Sequence, residues 1–405
     1  MLFAWGANSS GQLGTGDAGD RSEPVPIHCD AVFFDTADRT TQPSTVLFLA
    51  GGGGHSVVSN GLHTFGCGSH IHGQIDHTSD LMFLHPIYLN TSHPIAAVAC
   101  GWDFTLCLTN DGQLIGFGSN MHGQILGAPT PSHSVQPFRV TVPRVQMVSA
   151  GLRHALVVSA DGEVLSWGAN RRGQLGGTSI SDVVRFTFNR LYGKPVCCSA
   201  GAQHSVVATD KGYVLVFGDL RYFHGPQAVD EPRAEGESRC LSFSRHLFGG
   251  RPVVQVASGW SHIVGRTDAG EVYTWGRADL GQLGRPTYPS VDSVGPRYDP
   301  TPGLVVFDDS ENGRPVKIVD VAAGSEHSMA LDENGRIWTW GWNEHGMCGI
   351  LSVTDSDESG DHPLHGCLQR PTCVTFPSSN TYQSLRDPKA IAIGAGYGHS
   401  LAFVY

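Results

Sequence analysis

No stretch of the 405-residue chain approaches 18 consecutive apolar residues, so no membrane-spanning helix is expected. Basic runs are equally scarce. None is longer than Arg171-Arg172, and the formal net charge is −11, which argues against direct nucleic-acid binding. The ten cysteines form no C-x-x-C pair, and a chain of this length needs no disulfide staples. No basic segment precedes Leu2, so no secretory signal peptide is expected. The cysteines then read as small packing residues in a reducing, cytoplasmic compartment, where the sequons at Asn8 and Asn90 stay idle. There is no P-loop, no G-x-S-x-G and no distinguishable Ser/His/Asp set, so covalent catalysis and a bound cofactor have no support. Charged residues make up only 16%.

Glycine, by contrast, is abundant at 52 residues, and it is ordered in sequence. A G-x-x-H element recurs at Gly52–His55, Gly151–His154, Gly201–His204, Gly259–His262, Gly324–His327 and Gly396–His399; Gly101–Phe104 has Phe in the His slot. Successive first glycines are 49, 50, 50, 58, 65 and 72 residues apart, a period that signals a repeat architecture. A second element places an aromatic or Cys before Gly: Trp5, Cys67, Phe117, Trp167, Phe217, Trp275 and Trp340. Its full form is W-G-x-N-x-x-G-Q-L-G, as at Trp167–Gly176. After Trp340 it decays to Gly346-Met347-Cys348-Gly349, and after Phe217 it is lost in Asp219–Gly225.

Between the two elements lie six turns: Asn60-Gly61, Asp111-Gly112, Asp161-Gly162, Lys211-Gly212, Ala269-Gly270 and Asn334-Gly335. Apolar run, glycine turn and apolar run predict an antiparallel hairpin. Six turns serve seven units, because Leu401–Tyr405 supplies a first strand and Leu2–Trp5 a second. Pairing the two closes a ring and removes its exposed edges. The expected fold is therefore an all-β, seven-bladed β-propeller spanning residues 1–405 as one domain. The long connections at about 219–254, 285–319 and 350–390 are expected to hold outer strands plus insertions.

The six histidines, at His55, His154, His204, His262, His327 and His399, lie one per unit, too dispersed for one metal. They are expected to be buried and hydrogen-bonded to neighbouring backbone, with Phe104 filling the same slot. Trp5, Trp167, Trp275 and Trp340 are expected to pack between blades, since Cys67 and Phe117 replace Trp. A local group of His63, His70, His72, His77, His85 and His93 has irregular spacing and no accompanying carboxylate or Cys, so it does not predict a metal site. Asp355, Asp357, Ser359 and Gly360 begin like a calcium loop, but its twelfth position is Gly366 rather than Glu.

The paired G-x-x-H and W-G-x-N-x-x-G-Q-L-G elements resemble the repeats of the regulator of chromosome condensation superfamily, whose fold is a seven-bladed propeller. Gly51–Ser56, Val98–Thr105, Ala150–Ala155, Thr274–Asp279 and Trp340–Gly349 narrow the resemblance to the family of secretion-regulating guanine nucleotide exchange factors. That resemblance implies exchange activity, a small GTPase or exocyst-type secretory proteins as partners, and a place in cytoplasm and nucleus. The chromosome-condensation regulator itself carries a β-wedge and a basic N-terminal tail. Neither can be placed here, so its activity toward Ran does not carry over.

Residues that depart from the repeat text are the expected partner-binding set: Trp102, Asp103, Trp260, Arg277, Asp279, Glu326, Trp342, Asn343, Glu344 and His345. Most fall in turns expected on one rim, where aromatics flanked by charge suit a protein-binding hot spot. The chain is expected to act as a monomer. The alternative function is a non-catalytic scaffold that recruits proteins to ubiquitin ligases or chromatin.

Overall fold

The computed structural model describes residues 1–27, 47–75, 82–177, 183–186, 192–230, 239–287, 297–308, 315–351, 366–377 and 388–405. Its strands form seven antiparallel sheets, six of four strands and one of five. Numbered in chain order, blade 1 begins at Phe48–Gly51, blade 2 at Ile95–Cys100, blade 3 at Val145–Ala150 and blade 4 at Pro195–Ala200. Blade 5 begins at Val253–Ser258, blade 6 at Ile318–Ala323 and blade 7 at Ala390–Ala395. Each blade runs outward from that first strand to the G-x-x-H strand, then to the W-G strand, and ends on an outer strand.

Blade 7 joins both ends of the chain. Leu2–Gly6 pairs with His399–Val404, in the register Leu2↔Phe403 and Phe3↔Ala402. The long connections supply outer strands as expected, at Cys240–Phe243, Tyr298–Leu304 and Cys367–Cys373. The Asp355–Gly360 segment and His77 lie outside the described residues.

The loose alternation of the sequence has a physical cause. In His154–Ser159, His204–Thr209 and His327–Asp332 every residue is buried, because each blade is covered by a neighbour on both faces. One core unites Phe104 and Leu106 of blade 2 with Leu165 and Trp167 of blade 3, and equivalent clusters fill the other junctions. Trp5, Trp167, Trp275 and Trp340 are fully buried there. The hairpin glycines hold positive φ, from 80° at Gly212 to 89° at Gly61, which the tight turns demand.

Because strands alternate in direction, the G-x-x-H loops and the W-G-x-N loops emerge on the same rim. The glycine hairpins occupy the other. The first strands enclose an axial channel of about 350 Å3, lined mainly by small residues such as Ala99, Ala150, Ser199, Ala257 and Ala323.

Candidate functional site

The repeat histidines are buried, but their partners are not backbone groups as the sequence suggested. Five of the six reach the next blade's hydroxyl: His55 to Thr105 (3.0 Å), His154 to Ser205 (3.0 Å), His262 to Ser328 (2.9 Å), His327 to Ser400 (3.0 Å) and His399 to Ser56 (2.7 Å). Each hydroxyl in turn donates to a loop carbonyl of the histidine's own blade, for example Ser205 to Gln174 O at 2.8 Å and Ser400 to Met347 O at 2.8 Å. Its single hydrogen being used, the hydroxyl can only accept from the imidazole, which assigns the proton to Nε2. Nδ1 of all five is left without a partner, in agreement. Tryptophan indoles join the same carbonyls in Trp340 to Gln282 O (2.8 Å) and Trp5 to Met347 O (3.0 Å), and Trp167 bonds the equivalent Gln124 O (2.8 Å).

Burial holds these imidazoles neutral, bringing His55, His154, His262 and His327 down to about 3 and His204 and His399 to about 4. The first glycine must lie against the ring. A Cβ on Gly52 would sit 2.1 Å from His55 Cε1 and 2.5 Å from Gly101 O.

A backbone belt runs along the same rim. The residue after each first glycine donates to the next blade: Gly53 to Trp102 O (3.0 Å), Trp102 to Leu152 O (3.4 Å), Leu152 to Gly201 O (3.2 Å), Trp260 to Ser325 O (2.9 Å), Ser325 to Tyr397 O (3.0 Å) and Tyr397 to Gly52 O (3.1 Å). Among the described residues one junction lacks this bond, that of blades 4 and 5 at Ala202.

The belt aims three aromatic side chains over the channel mouth. Trp102 of blade 2 and Trp260 of blade 5 meet with ring centroids 6.3 Å apart, and Tyr397 of blade 7 contacts them at 5.2 and 6.2 Å. Trp102 is 39% and Trp260 37% exposed, so they offer a solvent-facing apolar surface while capping the channel. Burial, reinforced by Asp103, raises the Tyr397 hydroxyl well above the usual phenol range, so it stays protonated. One Asp103 carboxylate oxygen is buried without a partner.

The other expected contact residues divide. Arg277 binds Asp279 through Nε (2.6 Å) and Nη2 (2.8 Å), and Glu326 through Nη1 (2.9 Å); Gln282 also donates to Glu326, at 2.7 Å. Burial raises the Glu326 carboxyl, and Gln282 and Arg277 pull it back. Glu326 is 4% and Asn343 7% exposed, so neither presents a surface to a partner. Asn343 is a turn residue, accepting from Cys348 N at 2.8 Å and donating to Ile350 O at 2.9 Å. Trp342 packs edge-on to His345, whose Nδ1 lies 2.9 Å from Asp20 of blade 7. Glu344 is exposed beside them. Of the local histidines, His93 lies 3.5 Å from Asp111 and His72 bonds His133 O at 3.1 Å; they do not converge.

Sequence reasoning missed Tyr397. Its signal was its slot, since it follows the first glycine of its unit just as Trp102 and Trp260 do. Also missed was the pocket of about 330 Å3 at the blade 4–blade 5 junction. Its wall includes Ala202, His204, Asp219, Arg221, Tyr222, Trp260 and Arg277. The loop lacks the capping Asn, since Leu220 stands where Asn170 accepts from Leu175 N at 3.0 Å. It takes another course, and Phe223 packs on His204 with centroids 4.9 Å apart.

The RCC1-like domain family model matches residues 1–402. The secretion-regulating guanine nucleotide exchange factor of Mus musculus is 36% identical over 421 aligned positions, covering 99% of this chain and 83% of that protein. The Bos taurus protein of the same name is 35% identical, covering 99% and 82%. Among solved structures, Prp20p from Saccharomyces cerevisiae, described with its binding to Gsp1p and histones, superposes with a TM-score of 0.76. That match has 19% identity and covers 100% of this chain and 91% of that one. The fold, the repeat and these full-length matches agree: the chain belongs to the RCC1-like domain family and, within it, to the group named secretion-regulating guanine nucleotide exchange factor.

Proposed function

We propose that this chain is a regulator of a small GTPase in secretion, a guanine nucleotide exchange factor that acts by protein binding through the rim bearing Trp102, Trp260 and Tyr397. The observation that carries this reading is the 36% identity across 99% of the chain to a relative bearing that name. Exchange needs no covalent chemistry. A factor that binds the nucleotide-free GTPase more tightly than the loaded form shifts the equilibrium toward release by that difference alone. Exposed tryptophans beside Asp103 have the composition of a hot spot. The propeller works as one domain and as a monomer in cytoplasm and nucleus, with the GTPase or exocyst-type secretory proteins as partners.

The test is GDP release from a panel of purified small GTPases. Acceleration on one member, lost in Trp102→Ala/Trp260→Ala, supports the proposal. A stable complex with a partner, without faster release from any GTPase, replaces it with the scaffold function.

A further inference from the structure

Each of the other six junctions has at least one side-chain bond to the loop carbonyl and one bond of the backbone belt; that of blades 4 and 5 has neither. His204 is 1% exposed, yet its Nε2 has no partner, because Ile263 stands where five other blades carry Ser or Thr. Trp275 Nε1 is likewise buried and unpaired. The Ala202 N–H makes no bond of the belt, although Gly259 O lies beside Gly201 as the matching carbonyls do at other junctions. An unmatched buried donor costs about 1–3 kcal/mol, so whatever supplies an oxygen here gains what the fold forgoes. His204 and Ala202 both line the junction pocket.

We infer that this pocket is a peptide-binding slot, which takes an aromatic side chain of a partner protein together with a neutral main-chain carbonyl that accepts from the unpaired His204 Nε2 and the Ala202 N–H. The walls set the chemistry. Trp260 and Tyr222 supply flat apolar faces. The guanidinium groups do not add a free positive charge. Asp219 holds Arg221 at 3.1 and 2.7 Å, and Asp279 and Glu326 hold Arg277. Arg172 also lies 3.9 Å from Asp219, so every cation here is already paired with a carboxylate, which favours a neutral oxygen over an anionic one. The volume of about 330 Å3 accommodates a tyrosine-sized side chain and its peptide group. This inference stands apart from exchange activity, since it is measured on the chain alone.

The probe is the capped tripeptide N-acetyl-Gly-Tyr-Gly-amide, titrated against the full chain by ligand-observed NMR. Saturation transfer to the tyrosine ring is expected, with the free-acid form of the same peptide binding more weakly. Ile263→Thr gives His204 the hydroxyl found at five other junctions and weakens binding about fivefold, the equivalent of one neutral hydrogen bond. Trp260→Ala, at an exposed position, weakens it further without touching the core. No transfer to the wild-type chain, equal affinity in Ile263→Thr, or tighter binding of the free acid would each overturn the assignment.

Discussion

His399 of the last blade lies 2.7 Å from Ser56 of the first, through Nε2 and Oγ. Ser56 passes its own hydrogen to Gln12 O at 2.6 Å, so one hydroxyl ties three segments together at the closing junction of the ring. Ser56→Ala leaves the buried His399 donor unmatched and leaves Gln12 O with only the weak Cys67 thiol donor at 3.3 Å. A loss of about 1–3 kcal/mol is expected in urea unfolding. A midpoint equal to wild type would show that these bonds are not limiting for stability.

Phe104 and Ala155 occupy the same two slots at the junction of blades 2 and 3, with neither polar group present. Phe104→His alone buries an unpaired imidazole and is expected to destabilise. Ala155→Ser alone adds a hydroxyl beside an apolar ring. Together they rebuild the pair, with Gln124 O as the second acceptor, a role that Gln282 O already plays for Ser328 and Trp340. The double-mutant cycle should therefore give a favourable coupling of about 1 kcal/mol. Strict additivity would refute the pairing rule.

At the junction of blades 4 and 5 the rule predicts a smaller effect. His204 donates to nothing across that junction, so His204→Leu loses no inter-blade bond, and its cost is expected to stay within about 1 kcal/mol. His154→Leu breaks the bond to Ser205 and should cost about 1–2 kcal/mol more. Thermal unfolding of the two variants side by side measures the difference. Equal losses would mean that His204 is satisfied in solution.

The ring was legible because its period, turns and split seventh unit are all written in local residue order. The histidine partners were legible only in part. The acceptor follows the histidine of the next unit, as in His55-Ser56 and Phe104-Thr105, and it becomes visible only once blade n is known to face blade n+1. The aromatic cap was less accessible still. Trp102 and Trp260 belong to blades 2 and 5, which no sequence neighbourhood relates; closure of the ring brings them together. Glu326 looks like a surface departure from the repeat, yet ion pairing buries it, while Asn343 holds the Asn slot of W-G-x-N and caps its turn as Asn170 does. The eroded loop after Phe217 was noticed as a loss of motif. That a pocket opens there follows from two losses together, the loop carbonyl after Phe217 and the hydroxyl that Ile263 replaces.

Acid should open this fold through its histidines. Six imidazoles are held at about 3 to 4, below the unfolded value near 6.5. Below that unfolded value the denatured chain takes up protons that the native state refuses. Their contribution to stability is therefore complete above about pH 6.5 and is lost as pH falls toward 3. Each group adds a slope of about 1.4 kcal/mol per pH unit. Guanidinium unfolding between pH 7 and 5 should reveal uptake of several protons, and His154→Leu should reduce it by one. A flat profile over that interval would contradict the buried neutral assignment.

Closure itself is tested by removing Ala402–Tyr405. Ala402 pairs with Phe3, Phe403 with Leu2, and the Met1 amino group donates to Val404 O. Ala402 and Val404 are fully buried in the core shared with Phe3, Trp5 and Met329. Their loss strips the neighbouring strand of its ladder and exposes the seventh blade on both sides. Burial of these side chains alone is worth on the order of 5 kcal/mol, and an opened ring also forfeits the bonds at His399 and His327. The deletion should lower the denaturant midpoint of the entire propeller in one transition, since every blade depends on two neighbours. Loss of blade 7 alone, with the other six melting as before, would show an array of independent units rather than a closed ring.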